Sequence, residues 1–168
     1  MSHFYLSQIL IGIAICFDLM SFQFKDRRKI VGTLFFSGLL ISTHFILLEQ
    51  WTAACLSGLA ALRFLVCVWS TSRIVMYVFC GFTLLATCLT YSGLVSLVSC
   101  SASLMQNIAS FHKDDKRLRE IMIIGVSLWM LNNYLVGSPT AVLMEFLFIC
   151  SNIVGYYRYY IRPRSTAL

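Results

Sequence analysis

Long apolar stretches separated by short polar connections run along this 168-residue chain. Each stretch approaches the roughly 20 apolar residues that an α-helix needs to cross a bilayer. The pattern predicts seven transmembrane helices, at 4–22, 30–48, 51–69, 74–89, 92–109, 121–135 and 140–157. The clearest turn is Gly137-Ser138-Pro139, because proline suits the first turn of a new helix but not the end of the preceding one. The first stretch has neither a basic leader nor a cleavage site, so we expect it to be retained as a span.

The composition excludes a soluble globular domain. The chain is 59% hydrophobic and 12% charged, with a mean hydropathy of +0.80, whereas soluble domains are roughly 45–50% apolar and about 25% charged. The net charge of +6 does not indicate nucleic-acid binding, because the basic residues form short clusters between apolar stretches. All seven cysteines lie inside apolar stretches, and no two of them form a C-x-x-C pair. We therefore interpret them as small buried hydrophobes.

The basic residues predict an orientation. If the seven spans are correct, every lysine and arginine in a connection lies on one side of the membrane: Lys25, Arg27, Arg28, Lys29, Arg73, Lys113, Lys116, Arg117, Arg119, Arg158, Arg162 and Arg164. The connections on the other side contain none. Under the positive-inside rule the N-terminus is therefore outside and the C-terminus is cytoplasmic.

The two halves of the chain show weak internal similarity. An offset of 89 residues (110 minus 21) aligns Ser21-Phe22 with Ser110-Phe111, Asp26 with Asp115, Arg28 with Arg117, and His44-Phe45 with Asn133-Tyr134. This alignment predicts one transmembrane domain made of repeat one at 4–69, a linker helix at 74–89, repeat two at 92–157 and a cytoplasmic tail at 158–168. Because span four returns the chain to the outer face, the two three-helix repeats would be parallel. Chance similarity between apolar halves is the alternative.

Four polar residues are predicted to lie in the inner half of the bundle. Asp18 in span one and Arg63 in span three have comparable depth and could form an ion pair, and Asn107 and Asn152 follow them at the offset of 89. Ionisable groups inside a membrane are functional candidates by default. A structural pair that fixes helix register is the alternative, and Arg63 could also extend toward the headgroups.

A second set lies nearer the outer face. His44 in span two and Asn132-Asn133 in span six are predicted to face each other, and Glu145 lies about two turns into span seven without an evident basic partner. These residues suit either a solute path or single hydrogen bonds between helices. For Glu145 the alternatives are proton coupling and a protonated carboxyl group bonded across helices.

No P-loop, G-x-S-x-G, H-E-x-x-H or dinucleotide fingerprint occurs in the chain. We therefore expect no enzyme, no catalytic residue, no cofactor and no metal site. An intramembrane enzyme would need a reactive pair within hydrogen-bond reach in a cavity.

Two segments carry a family resemblance. The first is His44-Phe45-Ile46-Leu47-Leu48, followed by an alanine-bearing span to Arg63; the second runs from Asn133-Tyr134-Leu135-Val136-Gly137-Ser138 through Met144-Glu145 to Asn152 and Arg158. Together they resemble the YgjV-type bacterial inner-membrane protein family. The resemblance implies a small multi-pass inner-membrane protein, similar in helix plan to the SWEET and PQ-loop transporters. In that group an asparagine of each repeat's third helix reaches the substrate. Asn152 matches one of these two asparagines, but span three has Ala60 and Arg63 instead of the other. The Pro-Gln motif typical of the group is also missing.

The sequence thus predicts an all-α membrane protein of seven transmembrane helices in a three-plus-one-plus-three arrangement. We expect it to carry a small polar solute, with Asp18, Arg63, Asn107 and Asn152 lining the inner path and His44, Asn132, Asn133 and Glu145 the outer path. An Arg63 on the axis would favour an anionic or zwitterionic solute. The alternative is a non-transporting partner or sensor that docks a cytoplasmic protein or anionic lipid through its basic loops. The expected partners are the lipid bilayer and a small polar solute. Whether the chain forms a homo-oligomer is left open.

Overall fold

The computed structural model describes residues 3–162, and these fold almost entirely as α-helices. The helices are α1 His3–Ser21, α2 Arg27–Leu47, α3 Trp51–Trp69, α4 Arg73–Leu89, α5 Leu94–Ser110, α6 Asp115–Leu135 and α7 Pro139–Tyr156. A π-helical turn, Tyr157–Ile161, continues α7. The all-helical prediction is confirmed for the described residues. Of the predicted tail at 158–168, residues 163–168, which include Arg164, lie outside them.

Four helices are long and apolar enough to cross a membrane: α1, α2, α3 and α7 with its continuation to Ile161. Helices α4 and α5 have 17 residues each, which corresponds to about 26 Å of helix. Helix α6 has 21 residues but begins with the charged segment Asp115–Glu120, which the sequence prediction placed in a loop. Helix α2 likewise starts three residues earlier than predicted, at Arg27.

Six helices form a closed ring. The main contacts join α1 to α2, α2 to α3, α3 to α5, α5 to α6, α6 to α7 and α7 back to α1. Helix α4 packs outside the ring against α3 and α5, and only Thr83 and Thr87 of its residues are buried. Its outward side chains are apolar, for example Ile74 and Leu89, which are 75% and 77% exposed. Such a surface suits contact with lipid chains.

Local geometry recurs along the chain at a spacing of 88 residues. The bounds of α2 and α6 differ by 88 at both ends (115 minus 27, 135 minus 47). The side chains of Asp26 and Asp114 cap these two helices by accepting hydrogen bonds from the backbone N–H groups two residues later. The turns that follow them contain Glu49 and Gly137, both with positive φ. The predicted offset of 89 is therefore wrong by one residue: it rested on the Ser-Phe identity, whereas the capping aspartate is Asp114 rather than Asp115.

Arg27 joins the first half of the chain to the second. Its Nε donates to the carbonyl oxygen of His112 at 2.9 Å, its Nη1 to that of Cys67 at 2.7 Å, and its Nη2 to that of Ser110. These three carbonyls lie at the ends of α3 and α5, where helices leave backbone acceptors without a partner.

Arg119 makes the reverse connection. Although the sequence placed it in a loop, its side chain is fully buried in α6 and donates to the carbonyl oxygens of Phe22 and Phe24, the latter at 2.9 Å. Phe22 and Phe24 precede Ser110 and His112 by 88 residues, so the two arginines bind matching carbonyls in opposite halves. We call these the reciprocal arginine contacts, and the end of the bundle that contains them the basic end.

The cysteine interpretation is only partly correct. Cys67 and Cys100 are buried, but Cys16, Cys55 and Cys88 are exposed on the outside of the bundle. An apolar stretch does not separate core from lipid-facing positions, because both are apolar in a membrane.

Replacement of Gly155 tests the reciprocal arginine contacts. A Cβ atom at this position would lie 2.5 Å from Arg119 Nη1 and 2.8 Å from the carbonyl oxygen of Phe22. We expect Gly155→Ala to destabilise the detergent-solubilised protein by about 1–3 kcal/mol, as overpacking does, and to lower its melting temperature. Gly12→Ala is the control, because a Cβ there meets nothing within 4 Å. Equal melting temperatures for both variants would contradict the buried position of Arg119.

Candidate functional site

A cavity of about 50 Å³ lies between the six helices of the ring. Helices α1, α2 and α3 contribute to it from one side and α5, α6 and α7 from the other. Its polar lining consists of Asp18, Ser37, Ser57, Gln106 and Glu145, and its aromatic lining of Phe45, Phe64, Trp129 and Phe148. The volume is enough for a few water molecules and is well below that of ordinary ligand pockets.

Of the polar groups in this cavity, Gln106 and Glu145 each accept one long hydrogen bond, and Ser37 has no partner of normal geometry. Asp18 and Glu145 are only 3% and 8% exposed. Asn133 Nδ2 donates to Glu145 Oε1 at a long 3.4 Å, and Ser37 Oγ is buried with no hydrogen-bond partner. Buried polar groups in proteins are normally satisfied. The cavity is therefore a place where the protein leaves hydrogen-bonding capacity unused.

The predicted ion pair between Asp18 and Arg63 does not form: no ion pair within the described residues includes either of them. Arg63 is turned toward α5, where its Nη1 donates to Asn107 Oδ1 at 2.6 Å and its Nη2 to Gln106 Oε1 at 3.4 Å. Asn107 in turn donates to Thr83 Oγ1 of α4 at 3.0 Å. Comparable depth did not bring the charges together, because the Arg63 guanidinium lies over the ring of Phe64, 4.5 Å from its centroid, and is directed toward α5.

Asn152 is also outside the cavity lining. Its Nδ2 donates to the backbone oxygen of Arg119 at 2.9 Å, and its Oδ1 is buried without a partner. Asn152 thus belongs to the packing between α6 and α7. The four residues predicted for an inner path do not meet at one place.

The four residues predicted for the outer path do not meet at one place either. His44 is fully buried and places Nδ1 3.1 Å from the backbone oxygen of Ser7 and Nε2 3.5 Å from Ser138 Oγ. Its described partners are therefore serines rather than the asparagines expected opposite it. Both amide atoms of Asn132 are buried and have no partner. Of the eight predicted site residues, Asp18 and Glu145 line the cavity, and Asn133 reaches it through Glu145.

The sequence prediction missed Gln106, Ser57 and Trp129, although a signal for them exists. At a spacing of 88, Asp18 corresponds to Gln106, Ser57 to Glu145, Ile41 to Trp129 and Ala60 to Phe148, and all eight residues line the cavity. The offset of 89 hid these correspondences. Correct alignment of the capping aspartates would have revealed them.

Comparison with known proteins identifies the chain's relatives at the family level. The model of a family of bacterial inner membrane proteins, Imp-YgjV, matches residues 5–162. This match confirms the resemblance inferred from the two motif segments. No curated protein matches the chain. No solved structure matches it either.

A double-mutant cycle tests whether Arg63 and Asn107 form a structural pair. Asn107→Leu removes the acceptor of a buried guanidinium, and we expect a loss of about 3–5 kcal/mol in unfolding free energy. Arg63→Met in the same chain should restore much of this loss, because replacing both partners by apolar groups removes the uncompensated charge. Reversible denaturant unfolding in mixed micelles provides the measurement. Additive losses in the double variant would show that the two side chains do not interact.

Proposed function

The chain belongs to the Imp-YgjV family of bacterial inner membrane proteins, and we propose that it is a non-enzymatic carrier that moves a small polar solute through the central cavity. The observation that carries this proposal is the polar lining of that cavity, above all Asp18, Glu145 and the unpartnered Ser37. Polar groups in a membrane-embedded bundle are costly unless paired or wet. A bundle that served only as a scaffold would gain stability by pairing them or replacing them with apolar residues.

We also propose that the bundle consists of two parallel three-helix repeats, α1–α3 and α5–α7, joined by α4. The contacts between the two groups support this proposal. The first helix of one group packs on the third helix of the other at both seams: α1 on α7, and α5 on α3. The reciprocal arginine contacts also link the two halves in both directions, although Arg27 and Arg119 themselves are 92 rather than 88 residues apart (119 minus 27). A substrate site on the axis between repeats is typical of such transporters.

The repeats require all seven helices to span the membrane, including the short helices α4 and α5. Both lie within the range of about 17–25 residues that can cross a bilayer. The proposed orientation places the basic end in the cytoplasm and the turns at Glu49 and Gly137 outside.

Alkaline phosphatase fusions test this topology. Fusions after Gln50, Tyr91 and Gly137 should be active, because this enzyme folds only outside the cytoplasm. Fusions after Ser72 and Lys113 should be inactive, and green fluorescent protein at the same sites should give the reverse pattern. The α4 span would be refuted if the fusions after Ser72 and Tyr91 behaved alike.

The chemistry of the solute needs revision from the sequence-based expectation. An anionic or zwitterionic solute was expected because Arg63 was placed on the axis, but the structure directs Arg63 toward Asn107. The cavity lining contains two carboxyl groups and, among the described residues, no lysine, arginine or histidine.

Movement of a solute through this site requires access from both ends. Toward the basic end, the rings of Phe22 and Phe148 pack edge to face with centroids 4.7 Å apart. Toward the other end, Phe45 and Trp129 lie 6.0 Å apart. Each contact joins a residue of one repeat to a residue of the other, so a relative movement of the repeats would separate them.

A cavity-filling variant tests the carrier. Ala60 lines the cavity and is 8% exposed, whereas Leu62 on the same helix is 54% exposed on the outer surface. We expect Ala60→Phe to reduce uptake by proteoliposomes at least about tenfold, since a blocked path cannot be bypassed, and Leu62→Phe to leave it unchanged. The measurement is mass spectrometry of the contents after exposure to an equimolar mixture of amines, amino acids, sugars and organic acids.

One observation favours a second candidate function, the docking of anionic lipid. A groove of about 700 Å³ at the basic end is lined by Arg73, His112 and Lys113 together with the apolar side chains of Met76 and Ile108. Each basic residue near an anionic surface contributes about 1 kcal/mol of attraction. If the wild-type protein accumulates no component of the mixture, the carrier proposal fails and this candidate takes its place.

A further inference from the structure

The central cavity has the chemistry of a cation site. We infer that it binds a small monovalent cation, with a short-chain protonated amine favoured over an inorganic ion by the aromatic lining. This inference rests on the proposed carrier function and names the substrate class of the same site. It replaces the anionic or zwitterionic solute expected from the sequence.

The first argument is the absence of a countercharge. Asp18 and Glu145 line the same small cavity, and neither carboxyl group lies within ion-pair distance of a basic side chain among residues 3–162. Two carboxyl groups that share a dry site disfavour each other's ionisation. Protons or a bound cation must therefore balance them, and a cation that binds takes the place of these protons.

The buried basic groups nearby are engaged elsewhere. Arg63 donates to Asn107, and it meets two cavity-lining side chains, the oxygen of Gln106 and the ring of Phe64, whose centroid lies 4.5 Å from the guanidinium carbon. Arg119 is occupied by the carbonyls of Phe22 and Phe24. His44 places its two ring nitrogens near Ser7 and Ser138. None of the three lines the cavity, so their positive charges do not occupy the position that a cation would take.

The second argument is the remainder of the lining. Four aromatic residues line the cavity together with the carboxyl groups: Phe45, Phe64, Trp129 and Phe148, of which Phe64 already has the guanidinium of Arg63 over its ring. The faces of aromatic rings attract cations, most strongly ammonium ions that carry weakly hydrated alkyl groups. The unpartnered Ser37 Oγ, 1% exposed, supplies a further acceptor. An anion would meet carboxylates and ring faces, both of which repel it.

The third argument is size. A volume of about 50 Å³ holds a cation of methylammonium size or an inorganic ion, but not a sugar or an amino acid with a long side chain. The charge, the aromatic faces and the volume therefore point to the same class of ligand.

Isothermal titration calorimetry of the nanodisc-embedded protein tests the inference. The probes are methylammonium, potassium, methanol and formate, which compare an organic cation, an inorganic cation, a neutral molecule and an anion of small size. The buffer cation is N-methylglucamine, which is too large for the cavity. We expect saturable binding of methylammonium, weaker binding of potassium, and none of methanol or formate.

The variants Asp18→Asn and Glu145→Gln remove one charge each with little change in shape. We expect either to weaken methylammonium binding at least about tenfold, the loss of one charge-assisted hydrogen bond. Glu49→Gln is the matched control, because Glu49 is an exposed carboxylate in a turn. Melting curves without ligand verify that each variant is folded, and either cavity variant alone is sufficient for the test.

The outcomes separate this inference from the carrier proposal. Failure of both cations to bind, or equal affinity in Glu145→Gln and Glu49→Gln, overturns the cation site. If the wild-type protein takes up a neutral or anionic solute and Ala60→Phe abolishes this uptake, the cation site is also overturned, but the carrier proposal stands. Methylammonium binding without uptake of any solute retains the cation site and removes the carrier. Stronger binding of potassium than methylammonium refutes the preference for amines.

Discussion

Two arginine side chains, the fully buried Arg119 and the half-buried Arg27, hold the basic end of the bundle together. Helix ends leave carbonyl groups without partners. In a bundle from which the bilayer excludes water, these acceptors need donors from elsewhere in the chain. Arg27 supplies them for the ends of α3 and α5, and Arg119 for the connection after α1. Each arginine binds carbonyl groups of the opposite half of the chain, and Arg27 also binds one in its own half, so the two halves are linked in both directions.

The interior divides polar groups into two kinds. Those near the ends and on α3–α5 are engaged: Arg63 with Asn107, Asn152 with the backbone of α6, His44 with two serines. Those at the centre, Asp18, Ser37 and Glu145, line a cavity, where Glu145 accepts one long hydrogen bond from Asn133 and Ser37 has no partner of normal geometry. The middle of the ring therefore contains an open polar space, although unpartnered amide atoms also occur outside it, on Asn132 and Asn152. Such a distribution fits a protein whose centre receives a ligand, since stability alone would favour an apolar core there.

The helical fold could be predicted from the sequence because apolar length and turn chemistry determine it directly. The α3 bounds agree with the prediction, and the other helices begin or end within a few residues of it, apart from the charged start of α6. That error arose because the charged residues 115–120 were counted as a loop: Lys116 and Arg117 are exposed on the first turns of α6, whereas the Arg119 guanidinium is buried against carbonyl partners.

The cavity could be predicted only in part. Asp18 and Glu145 were recognised as costly intramembrane carboxyl groups, but their neighbours depend on the rotation of each helix about its axis. Lipid-facing and core-facing positions are both apolar, so hydropathy does not fix this rotation. As a result Arg63 was assigned to Asp18, although it lies toward α5, and Gln106 and Trp129 were missed.

The position of α4 outside the ring makes the two seams between the halves unequal. The α3–α5 seam is backed by α4, with Arg63, Asn107 and Thr83 linking three helices across it. The α1–α7 seam has no such backing, and its described polar links are the hydrogen bonds of Ser151 with Gln23 and with the backbone of Leu19, together with the bond from the Tyr159 hydroxyl to the backbone oxygen of Gln23. Separation of the two halves, which the proposed carrier requires, would therefore meet less resistance at the α1–α7 seam than at the α3–α5 seam. Helix α4 is thus a brace for one seam as well as a connection between the halves.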